Sequence, residues 1–142
     1  MKPKVIDLFA GVGGLSLGFE NSGFDVVLAN EYDPSIAAAY EENHKRTKMI
    51  CGDITLLDLQ KTFSDYAGKV AVIIGGPPCQ GFSQKGQRKT IHDERNFLFK
   101  YFVKVVELVR PRYFVMENVP NLLTAEAVSY THLRAHETEL HL

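Results

Sequence analysis

The chain is poor in the features that mark specialised protein classes. Its 142 residues include two cysteines, Cys51 and Cys79, and no tryptophan. Two isolated thiols supply neither a disulfide framework nor a zinc-ligand set, and free thiols fit a reducing compartment. No stretch approaches the roughly 18 consecutive apolar residues of a membrane span. The opening Met1-Lys2-Pro3-Lys4 leads into an apolar run too brief for a secretory signal. The expected location is therefore the cytoplasm. Lys and Arg number 16 against 17 Asp and Glu, a net charge of −1, which excludes a general basic coat for nucleic acid. Any positive surface must be local. Internal repeats and low-complexity tracts are also missing.

What is present fits one compact domain with a sizeable core: 45% apolar and 23% charged residues. Short apolar runs alternate with helical patterns, the signature of a parallel α/β sheet. Val5 to Phe9 reads as a first strand, followed by the glycine turn Ala10-Gly11-Val12-Gly13-Gly14. The next helix has Leu15, Leu17, Gly18 and Phe19 for its packed face and Gly23 to stop it. Asp25 to Asn30 is a second strand, and Pro34 opens a helix that runs through Ile36 to Asn43. Met49 to Cys51 is a brief third strand, and Leu56, Leu57 and Leu59 suggest a short helical piece. Val70 to Ile74 is a fourth strand, ended by Gly75-Gly76-Pro77-Pro78. A polar loop from Gln80 to about Arg95 precedes an apolar helix over Asn96 to Val109 and a fifth strand at Tyr113 to Met116. Right-handed crossovers give a strand order of 3-2-1-4-5, with ligands expected outside the strand C-terminal ends. Asp7, an acid inside the first strand, is the exception to the apolar pattern, and a structural role is open for it.

Those strand ends carry two sets of chemistry. Gly11, Gly13 and Gly14 let the backbone pass close to a ligand and open a helix N-terminus toward it. A nicotinamide-binding fingerprint would want a third glycine near position 16, where this chain has Ser16. Glu31, about 20 residues past the turn, is placed to accept two ribose hydroxyls. Asp53 at the end of the third strand can accept from an adenine amino group, with Ile54 packing on the ring. Phe9 and Tyr32 offer flat apolar surface for the same base, or equally belong to the core. Glu31 and Asp53 together indicate an adenosine-containing ligand without saying which.

The second set is Gly75-Gly76-Pro77-Pro78-Cys79-Gln80-Gly81-Phe82-Ser83. Two prolines stiffen the turn that presents Cys79 at the mouth of the sheet. The loop beyond adds Lys85, Arg88, Lys89 and Arg95 against Asp93 and Glu94, a polar and locally positive setting that favours the thiolate. Glu117, in Glu117-Asn118-Val119, ends the fifth strand, which neighbours the fourth. A thiolate beside a carboxyl group suits attack on an electron-poor ring with proton donation to a ring nitrogen.

With these pieces placed, the chain resembles the DNA cytosine-C5 methyltransferase family over about residues 4 to 126. Asp7-Leu8-Phe9-Ala10-Gly11-Val12-Gly13-Gly14 resembles its first motif, Asn30-Glu31-Tyr32-Asp33 its second and Gly52-Asp53-Ile54 its third. Gly76 to Ser83 resembles the nucleophile-bearing fourth, Arg95 to Phe99 the fifth and Glu117-Asn118-Val119 the sixth. The resemblance implies a Rossmann-like methyltransferase fold using S-adenosylmethionine, with double-stranded DNA as partner and no metal or membrane. A cognate restriction endonuclease would be a further partner. It implies that a cytosine is flipped out of the duplex and attacked by Cys79, with Glu117 as proton donor. Phe9, Pro78 and Leu98 would line the cofactor pocket with the residues already named, while Gln80, Ser83, Lys85, Arg88 and Lys89 would meet DNA.

Family members continue past the sixth motif with an arginine-bearing motif, a target-recognition region and a closing helix, which this sequence does not contain. The expected organisation is a partial catalytic domain over residues 1–127, inactive alone, with an exposed apolar sheet edge. Residues 128–142 hold three of the five histidines, resemble translated adaptor sequence, and read as a non-native tail. Two other readings stand beside a methyltransferase. One is a catalytically incomplete cofactor-binding module, or half-enzyme needing a partner chain; the other is a nicotinamide oxidoreductase.

Overall fold

The structure is a computed structural model that describes residues 1–78 and 98–117. The elements in chain order are β1 (Lys4–Leu8), α1 (Gly14–Asn21), β2 (Asp25–Glu31), α2 (Pro34–Asn43) and β3 (Lys48–Cys51). A 3-10 turn at Ile54–Leu56, α3 (Leu59–Phe63) and a second 3-10 turn at Ser64–Tyr66 lead to β4 (Val72–Gly75). Finally come α4 (Leu98–Val109) and β5 (Tyr113–Met116). All strands are parallel, in the order β3-β2-β1-β4-β5. The central β1 pairs with both β2 and β4, Val5 facing Val26 on one side and Val72 on the other.

Alternation along β1 sorts the two layers. Ile6 and Leu8 join Leu28, Ile73, Phe99 and Phe102 in the larger core beneath α4. Val5 joins Val26, Val72 and Ile74 on the opposite face, where Phe19 and Phe24 pack edge to face at 5.1 Å. The amphipathic α4 buries Phe99, Phe102, Val105, Val106 and Val109. Each such side chain stabilises the fold by about 1.5–3 kcal/mol relative to exposure.

Three sequence expectations need correction. The packed face of α1 is not formed by Leu15, Leu17 and Gly18: all three are exposed, and Ser16 is fully buried beside half-buried Phe19. The physical reason lies opposite, in Asp7, whose buried carboxylate needs a polar partner on the helix that covers it. β1 ends at Leu8 because Phe9 turns into the left-handed region at φ 54°. β4 begins at Val72 and keeps Gly75 inside the ladder, opposite Met116. At the sheet edge, Tyr113 and Val115 on β5 are exposed. Among the described residues, no helix is long and apolar enough to cross a membrane.

Candidate cofactor and catalytic site

At the C-terminal end of β1 the chain turns through Gly11 (φ 60°) and Gly13 (φ 97°) into α1. A Cβ built on Gly11 or Gly14 meets no atom within 4 Å, so the turn faces open space. Gly13 is different: a Cβ there would overlap the imidazole of His44, which makes glycine obligatory. Glu31 at the end of β2 clasps this turn. Its Oε1 accepts from the Gly11 N–H at 3.0 Å, and its Oε2 from the Asp33 N–H at 2.7 Å. Asp33 in turn caps α2 through Oδ1, accepting from Ser35 N at 2.8 Å and Ile36 N at 3.2 Å. These hydrogen bonds, the Ser35 hydroxyl's first, hold its carboxyl below the usual range.

Asn30, buried beside Glu31, donates its amide to the carbonyls of Ile50 (2.7 Å) and Gly52 (3.1 Å). That fixes the end of β3 against β2 and sets the position of Asp53. Asp53 Oδ1 accepts from Thr55 N at 2.9 Å and Thr55 Oγ1 at 2.7 Å, capping the 3-10 turn. Ile54 is only 3% exposed and belongs to the main core, whereas Tyr32 is open to solvent. Phe9 and Leu98 are half-buried against that core.

Sequence reasoning missed a polar network beneath the glycine turn. Ser16 Oγ donates to Asp7 Oδ2 at 2.6 Å and lies 2.7 Å from the Tyr40 hydroxyl. The His44 ring stacks on Tyr40 at 4.4 Å, and its Nδ1 is 3.1 Å from Glu20 Oε1. Burial pushes the Asp7 carboxyl from 3.8 up to about 6, against the lowering effect of the Ser16 hydroxyl. Burial also pushes the Tyr40 phenol up to about 12. The signals were present as two oddities, an acid within an apolar strand and a serine where a third glycine was sought. Their meeting, and the part of Tyr40 and His44, requires α1 and α2 side by side.

On the other side of β1, Gly75 leaves no room for a side chain, because a Cβ would strike the Leu8 carbonyl. Glu117 follows β5, its N–H donating to the Gly75 carbonyl at 2.9 Å. Its carboxyl lies over Gly76, where a built Cβ would be 2.7 Å from Oε2. The structure thus brings Glu117 against the residue that precedes Pro77-Pro78, with Pro77 buried and Pro78 exposed. Cys79, Gln80, Ser83, Lys85, Arg88 and Lys89 lie outside the described residues, as does the expected tail at 128–142.

A parallel sheet of this order, with a glycine turn after its central strand and a carboxylate closing the next, defines a Rossmann-like domain of the S-adenosylmethionine-dependent methyltransferase type. Comparison with known proteins narrows the class. Residues 3–136 match the model of the C-5 cytosine-specific DNA methylases. The chain is 42% identical over 121 residues to Type II methyltransferase M.FnuDI of Fusobacterium nucleatum, covering 85% of this chain and 33% of the relative. It is 46% identical over 127 residues to Type II methyltransferase M1.HphI of Haemophilus parahaemolyticus, covering 87% and 34%. A solved DNA modification methyltransferase encoded within an E. coli prophage superposes with a TM-score of 0.71 at 35% identity, over 97% of this chain and 37% of that one. The chain belongs to the C-5 cytosine-specific DNA methylase family, and it spans about a third of the length of the curated relatives it matches.

Proposed function

We propose that the full-length protein transfers a methyl group from S-adenosylmethionine to C5 of cytosine in double-stranded DNA, in the cytoplasm, and that residues 1–127 are its partial catalytic domain, inactive alone. The carrying observation is the Glu117 carboxyl lying over Gly76, on the same C-terminal edge of the sheet as the Glu31 clasp.

The residues present fit the cofactor. Each Glu31 oxygen accepts one backbone N–H and keeps acceptor capacity, so the carboxylate can still receive two ribose hydroxyls. The open face of Gly11 and Gly14 leaves room for a group laid across the turn. Asp53 serves the adenine edge; Phe9, Tyr32, Ile54, Pro78 and Leu98 supply the apolar wall. When bound, the cofactor supplies an electrophilic methyl group beside the strand ends.

The remaining chemistry belongs to the chain and the substrate base. A cytosine inside the duplex is out of reach, so it is flipped toward the sheet. The Cys79 thiolate forms a bond to C6 while Glu117 donates its proton to N3, and the displaced π electrons give C5 carbanion character. C5 would then be the nucleophile for the methyl group the bound cofactor supplies, the methyl–sulfonium bond breaking to leave a neutral thioether as the carbon–carbon bond forms. A base then removes the C5 proton, the C5–C6 double bond re-forms, and Cys79 leaves as thiolate while N3 returns its proton. Gln80, Ser83, Lys85, Arg88 and Lys89 hold the DNA, mainly at phosphates.

Replacing Cys79 with Ser in the full-length protein is expected to abolish transfer of labelled methyl groups to duplex DNA, while equilibrium dialysis still finds S-adenosylmethionine bound within about twofold of the parent. Normal turnover in the variant would rule this mechanism out.

A further inference from the structure

The near-neutral net charge conceals a segregation along the strand axis. At the C-terminal ends of the strands stand Glu31, Asp33, Asp53 and Glu117. At the N-terminal ends stand Lys2 and Lys4 before and within β1, Arg46 before β3, Lys69 before β4, and Arg110 and Arg112 before β5. Five of these six are exposed, with Lys4 half-buried, and none is ion-paired to a described residue. They line two adjoining open concavities of about 440 and 310 Å³ that share Met1, Lys2 and Lys4. Asp25 is the only acidic residue in either lining.

We propose that this cationic end of the sheet is a second nucleic-acid contact surface, binding the phosphate backbone of a duplex other than the one being methylated. Spread decides against a small anion: four interstrand spacings of about 4.8 Å make a row of about 19 Å. Such a row runs beside several phosphates of one strand at 3.4 Å of axis each. Lining decides against a protein partner, because there is no aromatic side chain to act as a buried anchor. Direction decides against the substrate duplex itself. Strands of 4–7 residues place about 13–23 Å of sheet between the two ends, so DNA held at the Glu117 end leaves the far end free. The surface reads no sequence; it raises local DNA concentration and lets the enzyme hold one segment while working on another.

The inference goes beyond the proposed methyl transfer, and one arm of its test uses that reaction. Full-length protein is trapped on a short duplex carrying 5-fluorocytosine, and the complex is titrated with a fluorescent duplex that lacks cytosine. The trapped complex is expected to capture the second duplex, with affinity falling roughly 40-fold between 50 and 200 mM salt, as about three phosphate contacts require. The variant K2Q/R46Q/K69Q/R112Q is expected to capture it at least tenfold more weakly at 50 mM, while methylating a short duplex within twofold of the parent rate. Equal capture by both proteins, or none by the trapped parent, overturns the proposal. So does capture of anionic phospholipid vesicles without capture of duplex. If no adduct forms, the covalent mechanism fails instead, and the untrapped proteins still decide: their salt slopes on the cytosine-free duplex must differ by about 2.7.

Discussion

Asp7 sits 1% exposed in the central strand, with Oδ2 held by Ser16 and Oδ1 without a hydrogen-bond partner among the described residues. Its folded value of about 6 lies above the ordinary 3.8, so the folded chain binds the proton more tightly than the unfolded one. The stabilisation is then full below about pH 4 and is lost as pH rises through 6, a change of about 3 kcal/mol. Urea midpoints across pH 4 to 7 are expected to carry this fall in the parent and not in Asp7→Asn; parallel curves would refute it. Gly76 invites a different substitution. An alanine Cβ there meets only the flexible end of Glu117, which can swing away. Gly76→Ala is expected to leave stability within about 1 kcal/mol yet lower kcat tenfold or more by displacing the carboxyl. Unchanged kcat would remove Glu117 from the reaction. At this scale the strand-end positions of Glu31, Asp53 and Glu117 were legible, because the apolar runs of a parallel sheet mark where each strand stops. Ser16, Tyr40 and His44 were not, since their meaning lies in two contacts between α1 and the α2 region, each 24 residues apart in sequence.

The elements show what local pattern determines and what it leaves to neighbours. Strand and helix types follow from the apolar runs, and the glycine turn at 11–14 and the Pro34 start are local chemistry. Which face of α1 turns inward is not local, because a buried carboxylate across the interface overrides the leucines. The end of α4 carries a related local conflict. Arg110 closes the helix at φ 52°, its N–H still bonded to the Val106 carbonyl, where glycine would stand without strain. Arg110→Gly is expected to stabilise the fold by about 1 kcal/mol. A lower urea midpoint in that variant would mean that the arginine side chain contributes more than its backbone costs.

For the whole molecule, the strand order was legible because right-handed crossovers leave few alternatives, and the structure has that order. The charge segregation was not legible, since a net charge sums over both ends of the sheet and cancels there. The same topology also sets a timetable for the nascent chain. Every described contact of the Glu31 clasp, the Asn30 bridge and the Asp53 cap lies within the first 55 residues. The Glu117 carboxyl, by contrast, must cross from the far end of the described sequence to meet Gly76. Emerging from the ribosome, the chain holds every partner of these contacts before the strand that leads to Glu117 is made, so the clasped turn can form ahead of the carboxyl that meets Gly76.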